Sequence, residues 1–139
     1  MSFKKRLLVI GLIAFILNVI WELSHYFLYV DLSGISKPVH LIIASFADML
    51  IIMGIFVFLS LKNGNANWIE NPNKSDYFAV VFLGIIVAVL IEKINLNLGR
   101  WRYTEAMPTV FGLGVSPLIQ LALTGLISII LVRIFNNLD

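Results

Sequence analysis

The sequence predicts an all-α polytopic membrane protein, a four-transmembrane-helix bundle running up-down-up-down with both termini cytoplasmic. Three observations predict it. Four apolar runs, residues 7–29, 39–61, 77–98 and 112–135, are each about 20 residues or longer, the length at which a helix crosses a bilayer core. Of the 139 residues, 60% are hydrophobic and 13% charged, with a mean hydropathy of +0.95; a soluble domain of this size needs far more charged surface. The basic residues, finally, favour one side. Lys4, Lys5, Arg6, Lys62, Lys74 and Arg133 fall on the amino-terminal side, against Lys37, Lys93, Arg100 and Arg102 opposite, which orients the termini inward. The runs are too long and too evenly apolar for barrel strands. They fill residues 1–139 as one integral-membrane domain, and the expected location is a prokaryotic cytoplasmic membrane.

The first run follows Lys4, Lys5 and Arg6, as a signal peptide would, but no small-residue cleavage site follows, and Glu22 and His25 stand where its apolar region should end. It reads as an uncleaved helix. Asn18, Glu22, His25 and Tyr29 follow steps of four, three and four, one stripe on one helical face. A short loop with Gly34 and Pro38 leads to the second run, whose stripe is His40, Ala44, Ala47, Asp48 and Ile51. Residues 62–76, KNGNANWIENPNKSD, read as a polar, mobile loop. The third run carries Gly84, Ala88, Glu92 and Asn95 on one face. Residues 99–111, GRWRYTEAMPTVF, suit packing at an interface, with Trp68 on the inner side and Trp101 and Tyr103 on the outer as belt aromatics. The fourth run offers Pro117, Gln120, Thr124 and Ser128. Small residues beside polar ones mark the inward faces of a membrane bundle.

Counted from the outer helix ends, Glu22, Asp48, Glu92 and Gln120 lie at matching depths of roughly 9–13 Å. Charged groups at such depth face a bundle interior or a water-filled cavity. Glu22, His25, Asp48 and Glu92 are therefore the expected catalytic residues, one acid protonated while a neighbour stays ionised, with His25 as base or shuttle. Asn18, His40, Asn95, Arg100, Arg102 and Gln120 are the expected substrate contacts, the two arginines serving an anionic headgroup. The expected partner is a membrane lipid, isoprenoid or other lipophilic small molecule. A structural ion-pair network built on Arg100, Arg102 or Lys93 is the competing, purely architectural reading.

Two further functions are open. Embedded acids and histidines also mark proton or cation paths, which with four helices calls for a homodimer. Glu22 and His25 have the E-x-x-H spacing of carboxylate di-iron bundles, but a single copy of the motif is present, so no metal or other cofactor is expected. The absence of cysteine excludes disulfides and thiol chemistry, and a net charge of +2, dispersed along the chain, gives no nucleic-acid surface.

Overall fold

The computed structural model describes residues 1–30 and 34–136; residues 31–33 of the expected first loop and the last three of the chain lie outside the described residues. Among the described residues four helices are long and apolar enough to cross a membrane. They are α1 (Phe3–His25), α2 (Lys37–Lys62), α3 (Lys74–Asn97) and α4 (Val115–Asn136).

Three of the helices start earlier than the apolar runs imply, two of them on polar side-chain caps and α2 on a proline. Ser2 accepts from the Lys5 amide at 3.3 Å, Pro38 sits in the first turn of α2 rather than in a loop, and Asn73 with Asp76 forms a reciprocal capping box on α3. Helices α2 and α3 both end on a glycine with positive φ. The Gly64 amide bonds Leu61 O while Asn65 bonds Ser60 O, and Gly99 and Arg100 repeat the pattern on Leu96 and Asn95. Those paired bonds stop a helix cleanly.

Loop two is packed rather than free. Its 3-10 turn, Ala66–Glu70, buries Trp68 and Ile69. The Trp68 indole donates to Ser60 Oγ at 3.1 Å and packs at a tilt against Phe56, so Trp68 is a buried core residue and not the belt anchor expected. Arg6 is fully buried against the same turn. Its guanidinium donates to Ala66 O (2.7 Å), Asn67 Oδ1 (2.9 Å) and Glu70 Oε1 (2.7 Å). This residue, read from the sequence as a topology signal, is also a latch between the start of α1 and the α2–α3 connection.

At the other end, two short ladders cap the bundle. Strand β1 (Tyr29–Val30) pairs antiparallel with β2 (Arg102–Tyr103), and β3 (Thr109–Val110) with β4 (Leu113–Gly114). Phe111 and Gly112, both at positive φ, make the turn between β3 and β4, as two-residue hairpins require. The hairpin delays α4 to Val115, and the α-helical part of α1 stops at His25. Tyr29 therefore stands on a strand, not on the helical stripe predicted for it.

Helix α1 packs on α2 and α4, and α3 packs on α4, whereas α2 and α3 touch little. Ile10, Phe56, Leu59, Ile69, Ile129 and Val132 fill the apolar core. Gly84 brings α3 against α4 so closely that a Cβ there would lie 2.8 Å from Ala122 N.

Candidate functional site

Between the core and the strand cap the four helices enclose a cavity of about 410 Å³, within the range of small-molecule sites. Its polar end is formed by Glu22, Asp48, Glu92 and Gln120, and its walls by Ile43, Ala44, Ala47, Ile51, Ala88 and Ile91. Because α2 and α3 touch little, the remaining side is the gap between them, where Ile43 is 55% exposed.

Gln120 is the hub. From a buried position on α4 its amide Nε2 reaches Asn18 Oδ1 at 3.0 Å, Glu22 Oε1 at 2.8 Å and Asp48 Oδ2 at 2.8 Å. The helical steps that put Asn18 and Glu22 on one face of α1 aim both at α4. Asn18 is fully buried, returning its own amide to Ala14 O at 2.8 Å. Below it, Thr124 and Ser128 give their hydroxyls to backbone carbonyls one turn back on α4, so the polar array ends there.

His25 stands behind Glu22 rather than in the cavity wall. Its Nε2 lies 3.3 Å from Glu22 Oε2 and its Nδ1 2.7 Å from Ser116 Oγ. The E-x-x-H pair thus bonds internally, and among the described residues no three of His, Cys, Asp and Glu converge as a metal site. His40 lines the mouth, 3.3 Å from the Tyr26 hydroxyl.

Glu92 is clamped. Tyr29 Oη donates to its Oε1 at 3.5 Å, and Trp101 Nε1 (3.4 Å) and Tyr103 Oη donate to Oε2. Tyr103 is itself held by the Gly114 amide at 2.9 Å. Burial first, and then the Glu92 charge, push the Tyr29 hydroxyl well above its ordinary range; burial and the bond to Glu92 do the same for Tyr103. Both phenols remain donors at any working pH. Sequence reasoning placed Trp101 and Tyr103 at the lipid interface and missed this role. Their one visible signal was their position just past the helix that carries Glu92.

The expected contacts divide. Asn95 lines the cavity, donating to Ile91 O at 2.8 Å and accepting from Arg100 at 3.3 Å; Arg100 lines the exposed mouth. Arg102 does not reach the cavity: it is exposed on β2, opposite Val30. Nor does an ion-pair network form. Among the described residues no lysine or arginine lies within ion-pair distance of Glu22, Asp48 or Glu92.

No protein-family model matches this chain, and no curated protein or solved structure is similar to it.

Proposed function

We propose that this chain is an integral membrane protein whose cavity binds a lipophilic molecule, such as a lipid or isoprenoid, and performs acid–base chemistry on its polar end. The observation that carries the reading is the cavity itself, with apolar walls, three carboxyl groups at one end and, among the described residues, no lysine or arginine paired with them. An architectural ion-pair layer would have shown such pairs. Within this reading Glu22 and Asp48 are the working acid and base, because the Glu92 oxygens are committed to three donors. His25 orients Glu22 and Gln120 holds both working groups in register. The bundle runs up-down-up-down with its termini cytoplasmic, which puts the site in the outer leaflet. A conduction path is less well supported, since the polar array stops at Ser128.

The test is occupancy. Protein purified in mild detergent should carry a stoichiometric lipophile, detected by extraction and mass spectrometry. Ala44→Trp, which fills the cavity from α2, should remove it while leaving the melting temperature within a few degrees. A wild-type protein that carries nothing lipophilic above the level of the Ala44→Trp variant would refute the proposal.

A further inference from the structure

We infer that the cavity receives the positively charged head of a lipophilic ammonium ion, and that this cation exchanges with a proton held between Glu22 and Asp48. The inference rests on the lipophile-binding reading above and names the substrate class.

Hydrogen counting gives the first argument. The Gln120 amide nitrogen carries two hydrogens but faces three acceptors, Asn18 Oδ1, Glu22 Oε1 and Asp48 Oδ2, all within 3.0 Å. Thr124 Oγ1, 3.4 Å from Asn18 Oδ1, can serve that amide oxygen, which leaves Glu22 and Asp48 sharing the Gln120 nitrogen, each 2.8 Å from it and with no lysine or arginine within ion-pair distance among the described residues. Turning the amide over would place its oxygen against the same two carboxyls, and then both must donate. In either orientation two carboxyl groups converge on one amide, and like charges held so close favour one proton shared between them.

The second argument is what faces the open space. Asp48 lines the cavity, and its Oδ1 accepts no hydrogen bond among the described residues. Tyr29 and Trp101 line the same space, their rings edge to face at 6.2 Å. An unpartnered carboxyl oxygen in a space lined by aromatic rings recognises an ammonium group, by charge and by cation–π attraction. The apolar walls and the α2–α3 gap accommodate a hydrocarbon tail.

The charged and titratable surroundings are consistent with one exchangeable charge. Helix α1 presents Glu22, with His25 behind it; α2 presents His40 and Asp48; α3 presents Glu92, already clamped. Helix α4 contributes Gln120 and Ser116, which do not titrate. Arg100 lies at the exposed rim and Lys37 sits 5.0 Å over the Tyr26 ring, so a cation enters more easily through the α2–α3 gap than past them. When the ammonium arrives, the shared proton leaves to bulk water and both carboxylates face the new charge. Acid therefore competes with the ligand.

The experiment uses the full chain in nanodiscs of neutral lipid, titrated with dodecyltrimethylammonium in weakly buffered solution containing a pH-sensitive dye. Binding is followed by tryptophan fluorescence. The expected result is release of about one proton per cation bound, with affinity falling about tenfold for each unit of lower pH. Glu22→Gln and Asp48→Asn should each abolish proton release and weaken binding by about tenfold or more. Infrared spectra of the unaltered protein give a second reading that needs no variant: the protonated-carboxyl band should disappear on saturation with the cation. Dodecanol binding as tightly as the cation, without proton release, would overturn the ammonium assignment and leave the lipophile reading standing. Preference for dodecanoate would do the same. No saturable binding of any of the three would overturn both.

Discussion

Glu92 shows how a buried carboxyl group is held without a lysine or arginine partner among the described residues. Three aromatic donors replace the water it would otherwise hold, and bonds of this kind to a charged group contribute about 1.5–3 kcal/mol each. Tyr103→Phe removes one of them and should lower stability in detergent by about 2 kcal/mol. The pH dependence has a definite sign. The Tyr29 and Tyr103 hydroxyls are raised in the folded state, so their contribution is complete below about pH 10, where unfolded tyrosine titrates, and declines as pH climbs beyond it. Thermal melts across that range should show the decline in the wild type and a shallower one in Tyr29→Phe/Tyr103→Phe. Equal slopes would mean that the clamp is not formed. The place of Glu92 on the cavity face of α3 was legible in the sequence, because helical spacing fixes which side chains share a face. Its donors were not, since they come from strand residues beyond the helix, where no periodicity aims a side chain and the usual reading of Trp and Tyr is an interface belt.

Among the elements, the helices were the legible part. The stripe His40, Ala44, Ala47, Asp48 and Ile51 does face the cavity, as do Ala88, Glu92 and Asn95, because 3.6-residue spacing fixes direction before packing is known. The loops were not legible. Arg6 finds its three acceptors in residues 66–70, and nothing local in either segment announces that meeting. The small residues of α3 carry a sharper expectation. At Gly84 a Cβ would meet Ala122 N at 2.8 Å and Ala122 Cα at 2.9 Å, backbone atoms that cannot rotate aside, whereas at Gly54 it would meet nothing within 4 Å. Gly84→Ala should part α3 from α4 and cost about 1–3 kcal/mol. Gly54→Ala, in the middle of α2, should be neutral or stabilising by up to about 1 kcal/mol. Denaturant unfolding of the two single variants, side by side, checks the contrast; equal effects would contradict the close α3–α4 contact.

At the scale of the whole molecule, orientation is the property left to experiment. Ser75 and Ala106 are exposed at opposite ends of the bundle, and Ser75→Cys and Ala106→Cys can be labelled in intact cells with an impermeant maleimide. Ala106→Cys should label from outside and Ser75→Cys only after lysis; the reverse pattern would invert the bundle and move the site to the inner leaflet. The hub around Gln120 also has a consequence for how the chain is made. Asn18 and Gln120 are 102 residues apart, and Arg6 and Glu70 are 64 apart. Ribosomes add about 5–20 residues per second, so Asn18 and Glu22 wait about 5–20 s for the amide that joins them. The first helix to be synthesised is thus completed in two stages, its Arg6 end when residues 66–70 follow and its Asn18–Glu22 end only when α4 does. Until α4 emerges Asn18 and Glu22 still lack the amide that joins them, and in that interval a stalled or truncated chain is most open to proteolysis.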